Sequence, residues 1–270
     1  MPQHDLPTGS SMGWVLRSGF PRIKSTPAVQ WVWKGSPVKN MLFWAMATSA
    51  PNRHIGIMGG SFNPVHYGHL RVARDANCRL ALDAMYIMPA ARSPLKTQHP
   101  VSAEHRLAML DLAVTEFPEL QLDTRELERE GPSYTVDSLQ ELRQEMGRAA
   151  TIYFLIGDDL LPTLNQWSRW QVMTDYAHLV VANRPGEFLA IPAEVAAWWH
   201  DREAPLAQLS SLPAGCVSRL ECSLVDVSSS GIRQSLKSGE RGTEMIPYSV
   251  MEYINRHKLY ENLSQAEAVL

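Results

Sequence analysis

The 270-residue chain reads as an α/β protein built on a doubly wound parallel sheet. Three observations predict this. Short apolar segments alternate with longer helix-period segments from residue 54 onward. The apolar segments lack the in–out alternation of a half-exposed strand, so their sheet is covered on both faces. A glycine-rich turn follows the first of them, at the carboxyl end, where sheets of this kind bind ligands.

The first strand is Ile55–Met58. The next segment, 67–80, places Leu70, Ala73, Ala76 and Leu80 on one helical face. Met85–Met88 is a second uninterrupted apolar strand, and His105-Arg106 opens an amphipathic helix at about 102–116. Leu120–Leu122 is a short strand. Gly131-Pro132 then breaks the chain ahead of a helix over 133–146, with Ser133 or Thr135 available as its cap. Strand Ile152–Ile156 leads into a helix over 159–175, for which Asp158 or Asp159 could serve as N-cap. Strand Leu179–Ala182 follows. Residues 186–215, rich in Pro, Ala and Trp, read as a long surface excursion. Strand Leu220–Val225 precedes a helix over 229–238, and a last helix lies near 247–257.

Composition narrows the class. Residues 1–53 carry six basic side chains against one acid, Asp5, and four of the eight tryptophans, with no sustained period. We expect an extension outside the domain, disordered or an over-long translation start with Met41 or Met46 nearer the true beginning. The domain is then 54–260, with 261–270 as a tail. The body carries the acidic excess, which argues against nucleic acid as a partner. No apolar run approaches the ~20 residues of a membrane span. Three cysteines, Cys78, Cys216 and Cys222, lack pairing or metal-ligand spacing and read as reduced thiols in a cytoplasmic protein.

The chemistry concentrates in Gly59-Gly60-Ser61-Phe62-Asn63-Pro64-Val65-His66-Tyr67-Gly68-His69. At a strand-to-helix turn, backbone N–H groups and the helix dipole favour an anion. His66 and His69, three apart at the helix start, point the same way and can both donate to phosphate oxygens. Near the C-terminus, Val227-Ser228-Ser229-Ser230-Gly231-Ile232-Arg233 opens another helix. Its hydroxyls could be caps, or with Arg233 a second phosphate cradle.

Together these segments resemble the G-G-[ST]-F-x-P-x-H-x-G-H and I-S-[ST]-[ST]-x-I-R signatures of the nucleotidyltransferase superfamily, and the wider pattern is similar to its bacterial nicotinate-nucleotide adenylyltransferase branch. The resemblance spans residues 54–260 and implies a Rossmann-like core in a single domain with a small C-terminal helical part. It implies adenylyl transfer from ATP to nicotinate mononucleotide, with Mg²⁺ accompanying ATP and no all-protein metal site. His66, His69 and Arg233 are the implied catalytic residues. Gly59, Gly60, Ser61, Phe62, Gly157, Asp159, Ser229 and Ser230 are the implied ATP contacts. Lys96, Arg106, Ser133, Tyr134, Thr135, Trp167 and Arg184 are the implied contacts of substrate, with Trp167 stacking on the pyridine ring and Trp170 in the core. The chain departs from the pattern at Leu95, where the family has histidine, and at Ser168, where it often has an aromatic. The alternatives are an adenylyltransferase for nicotinamide mononucleotide or phosphopantetheine, or a nucleotide-binding regulator without catalysis. Monomer and homo-oligomer are both open.

Overall fold

The computed structural model describes residues 53–91, 101–183, 190–222, 227–238 and 243–260. Lys96, Leu95, Arg184, the expected extension up to residue 52 and the expected tail at 261–270 lie outside them.

Six parallel strands form one sheet: β1 His54–Gly60, β2 Ala84–Pro89, β3 Leu120–Leu122, β4 Thr151–Gly157, β5 His178–Asn183 and β6 Val217–Glu221. Their spatial order is β3-β2-β1-β4-β5-β6. Ile57 of β1 stands in register with Tyr86 of β2 on one side and Phe154 of β4 on the other. The winding reverses between β1 and β4, the place where such sheets open a crevice.

Period-2 geometry divides each strand between two cores. Ile152, Phe154 and Ile156 join Ile55, Ile57 and Tyr86 on one face, while Tyr153 and Leu155 join Met58, Met85 and Ile87 on the other. Both faces are covered, which is why no polar residue alternates along these strands. Helices α1 (Tyr67–Arg79), α2 (Ala103–Val114), α6 (Ser229–Ser238) and α7 (Tyr248–Arg256) supply buried residues to the second face. Helices α4 (Thr135–Met146) and α5 (Ala193–His200) supply the first. A one-turn helix, α3 (Arg125–Glu128), lies between β3 and α4.

Several sequence expectations need correction. The helix over 159–175 is two 3₁₀ segments, Asp158–Gln166 and Trp170–Asp175. Pro162 removes a donor inside the first, and Arg169, at φ 52°, breaks the chain between them. Strand β6 starts three residues earlier than Leu220, because Val217 and Ser218 pair with Leu179 and Val180. The expected positions 223–225 lie outside the described residues.

The expected surface excursion at 186–215 is also wrong for its described part. Helix α5 and a 3₁₀ segment, Leu206–Ser211, bury Val195, Trp198, Trp199 and Leu209. Trp198 meets Trp170 edge-on at 5.1 Å, and its Nε1 donates to Gln171 O at 3.3 Å. The tryptophans that gave this stretch its odd composition are core. Trp198→Ala is therefore expected to cost about 3–5 kcal/mol, read as a lowered denaturation midpoint. A loss below 1 kcal/mol would return the segment to the surface.

Candidate active site

The turn after β1 runs against backbone and side chains from four distant segments. Its N-terminal half is tight. A Cβ on Gly60 would stand 2.9 Å from the Phe62 ring. Phe62 is buried, with its ring edge-on to His69 at 5.0 Å, so its side chain supports a histidine and only its backbone can face a nucleotide. Ser61 O accepts from Arg106 Nη1 at 2.9 Å. Asn63 O accepts from Arg233 Nη1 at 2.8 Å, and Pro64 O accepts from Ser229 Oγ at 2.9 Å. Two motifs about 165 residues apart in the chain thus meet through hydrogen bonds.

His66 is the N-cap of α1, in extended conformation, and its carbonyl accepts from His69 N at 3.0 Å. The two imidazoles stack with centroids 3.7 Å apart and planes 25° apart. His66 Nδ1 is buried without a hydrogen-bond partner among the described residues. Gly68 permits this, since a Cβ there would stand 2.9 Å from His66 Nδ1. Burial pulls the His66 imidazole down to about 4.

On the other motif, Ser228 Oγ accepts from Gly231 N at 3.1 Å and is the cap. Ser230 Oγ lies 3.1 Å from Ser228 Oγ. Ser229, with its hydroxyl on Pro64 O, joins the two cradles. Arg233 is half-buried at the same junction.

A cavity of about 340 Å³ opens beside the ends of β1 and β4. Gly59, Gly60 and Ser61 form one wall, Tyr134 and Thr135 at the start of α4 a second, and Trp167 a third. Trp167 stands edge-on to Phe154, and its buried Nε1 has no partner among the described residues. Ser168 also lines the cavity. At the end of β4, Gly157 is itself the N-cap of the 3₁₀ segment, so neither Asp158 nor Asp159 caps it. A Cβ on Gly157 would overlap the Asp159 carboxylate, which folds back over it.

Three residues differ from their expected roles. The guanidinium of Arg106 is buried and donates through Nη1 to Ser61 O and through Nη2 to Ala91 O, so it clamps two loops, while its buried Nε has no partner among the described residues. Ser133 is not a helix cap, since α4 begins at Thr135 after Tyr134. Its hydroxyl accepts from Ala91 N at 3.2 Å and bonds Glu126. Thr135, the first residue of α4, is likewise no cap; the N-cap is Tyr134.

Glu126 was not singled out in the sequence. It is a buried acid on the cavity wall, accepting from Ser138 Oγ at 2.7 Å, and burial pushes its carboxyl up. Its signal was masked by neighbours, because Arg125-Glu126-Leu127-Glu128-Arg129-Glu130 reads as a solvated charge run. Among the described residues no three carboxylate, thiol or imidazole groups converge as metal ligands. The site's side chains are mostly donors, which suits phosphate oxygens.

A family model described as cytidylyltransferase-like matches residues 57–235. The chain is 41% identical over 221 residues to a probable nicotinate-nucleotide adenylyltransferase of Laribacter hongkongensis, covering 81% of this chain and 100% of the relative. A relative of the same name from Cellvibrio japonicus is 38% identical, covering 76% of this chain and 98% of its own length. Among solved structures, the Plasmodium falciparum nicotinic acid mononucleotide adenylyltransferase complexed with NaAD has the same fold, with TM-score 0.61 at 19% identity over 78% of this chain and 98% of that one.

The His66 geometry sets a pH dependence. In the unfolded chain its imidazole titrates near 6.5. Between that value and about 4 the unfolded state binds a proton that the native state does not. Stability therefore falls as pH drops through this window, by at most roughly 3 kcal/mol. His66→Asn removes that slope, so acidification from pH 6.5 to 4 should shift the melting temperature of the variant upward relative to the wild type. A constant difference across the window would contradict the burial argument.

Proposed function

That the chain belongs to the nicotinate-nucleotide adenylyltransferase family is the premise from which we infer how its residues act. The reaction is adenylyl transfer from ATP to nicotinate mononucleotide, giving nicotinate adenine dinucleotide and pyrophosphate. The 5′-phosphate of the mononucleotide attacks the α-phosphorus directly. A new P–O bond forms as the bond to the bridging oxygen of the β-phosphate breaks, and pyrophosphate leaves with the electron pair. Phosphate is already an adequate nucleophile, so no general base and no covalent intermediate are needed.

One observation carries this reading: the stacked pair His66–His69 and Arg233 meet on one turn at the reversal point of the sheet. Catalysis then rests on aligning two anions and offsetting their charge. Histidines at the head of α1 hold the triphosphate, and Arg233 with Ser230 holds the leaving pyrophosphate. Ser229 spends its hydroxyl on Pro64 O and fixes the spacing of the two cradles. Mg²⁺ enters as part of the ATP substrate, on phosphate oxygens and water, and supplies charge neutralisation. Lys96 and Arg184 remain proposed phosphate and nucleotide contacts on the family pattern alone. The domain needed is 54–260, which suits relatives covered almost end to end. A cytoplasmic location is part of this reading, and the three free thiols suit it.

Donors at the start of α4 and the Trp167 wall support the cavity as the pyridine site. Backbone N–H groups there favour a carboxylate. The buried Glu126 carboxyl is held by Ser133 and Ser138, whose bonds favour the charged form while burial pushes it up more strongly. An amide would bring its own donor against these donors, at a cost of about 1–3 kcal/mol, roughly ten- to a hundredfold. We expect the ratio of kcat/KM values for the nicotinate and nicotinamide mononucleotides to favour the acid by that factor. A ratio near one would overturn the pocket assignment and leave adenylyl transfer standing.

His69→Ala should lower kcat by ~10²–10³ with KM for the mononucleotide changed only a few-fold, because a donor aimed at developing phosphate charge acts in the transition state. Steady-state kinetics test this. Unchanged kcat would remove His69 from the triphosphate site.

A further inference from the structure

We propose that Tyr260 is a positioning residue for adenylyl transfer: its hydroxyl donates to Asn63 Oδ1 at 2.5 Å and fixes the turn residue whose carbonyl holds Arg233. The proposal rests on the reading that this turn and Arg233 hold the triphosphate.

Tyr260 lies four residues beyond the end of α7 and 197 residues from its partner. Both Tyr260 and Asn63 are buried, at 4% exposure each. To bring the ring inward the chain takes the left-handed region twice, at Lys258 (φ 51°) and Tyr260 (φ 71°). Such a conformation is unfavourable for a large side chain and persists where surrounding contacts enforce it. A residue needed only to fill space could be phenylalanine. Here the hydroxyl goes to an amide of the phosphate turn.

The surroundings explain what that bond does. Asn63 is held twice, its side-chain oxygen by Tyr260 and its main-chain oxygen by Arg233. Tyr260 also sits in the field of both Arg106 and Arg233, the two guanidiniums that grip the turn at Ser61 and Asn63. Burial outweighs them and raises the phenol, so it remains a proton donor throughout the working pH range. Without the hydroxyl, Asn63 Oδ1 becomes a buried acceptor lacking this partner. The turn can then rotate, and the carbonyl that aims Arg233 at the leaving pyrophosphate moves with it.

Tyr260→Phe in the full chain tests this, with Asn63→Ala and Arg233→Lys beside it. Tyr260→Phe is expected to lower kcat about tenfold and to weaken pyrophosphate binding by calorimetry about as much. KM for nicotinate mononucleotide should stay within twofold. On the Asn63→Ala background the same change should have no further effect, because its acceptor is gone. A packing role would instead leave kcat and pyrophosphate binding of Tyr260→Phe near wild type, because the ring is kept. Full activity of Tyr260→Phe, or additive losses, overturns the proposal. Should Tyr260→Phe fail to fold, Asn63→Ala alone carries the same test: the same split between kcat and mononucleotide KM supports it, and unchanged kcat overturns it. If Arg233→Lys leaves pyrophosphate binding unchanged, the triphosphate reading itself fails. If it weakens binding while Tyr260→Phe does not, only Tyr260 loses its role.

Discussion

The carbonyl oxygens of Ser61, Asn63 and Pro64 leave the strand ladder at the end of β1, and buried carbonyls of that kind need donors. No helix or strand supplies them. They are met by Arg106 from α2, Arg233 and Ser229 from α6, with Tyr260 from the C-terminal segment on the Asn63 amide. This one requirement forces distant parts of the sequence together. It also gives Arg106, Arg233 and Ser229 two tasks, satisfying a backbone carbonyl and standing beside the proposed phosphate site. Arg106 is the extreme case, since it gives its Nη donors to loop carbonyls and none to solvent.

Charge is handled by the same economy of space. A site that binds a triphosphate needs positive charge when occupied, yet unpaired buried charge is costly when empty. Arg233 leans on a carbonyl dipole, donating to Asn63 O. His66 takes the other route: stacked on His69 at 3.7 Å, its imidazole is drawn down to about 4 by burial. A phosphate arriving at the pair reverses the balance, because an adjacent anion favours the protonated ring. At His66 the empty fold therefore need not hold a buried cation.

The parallel sheet was legible because β1, β2, β4 and β5 are buried on both faces and carry almost no polar residue to confuse the period. The order of elements followed from Gly and Pro punctuation. What the sequence hid has physical causes. Trp198 and Trp199 sit in a segment whose Pro and Ala content resembles surface, and tertiary contacts make them core, Trp198 against Trp170 and Trp199 beneath the Arg219 guanidinium. Pro162 reads as an interruption without saying that 3₁₀ geometry replaces an α-helix. At the site, His66, His69 and Arg233 announced themselves by motif. Arg106, Ser133 and Glu126 did not reveal their partners, because nothing local says that a guanidinium points inward to Ser61 O or that Ser133 bonds an acid seven residues back. Asn63 and Tyr260 were invisible for the same reason: their bond spans 197 residues.

The two halves of the site are built differently, and that difference bears on how one fold serves several phosphate acceptors. The phosphate half is held by main-chain carbonyls and a glycine-permitted ring stack, so changes there disturb the fold as well as the ligand. A side chain at Gly60 or Gly68 would collide with Phe62 or His66. The acceptor half is lined by side chains from α3, the start of α4 and the 3₁₀ segment after β4, on loops beyond the strand ends. Trp167, Ser168 and Tyr134 can be exchanged there without unsatisfying a turn carbonyl. The exception is Glu126, which faces the cavity yet ties Ser133 and Ser138 together, and through Ser133 reaches the backbone of Ala91. A change at Glu126 would therefore alter the cavity wall and the loop at Ala91 at once, so the shape of the cavity and the architecture around it are coupled at this residue.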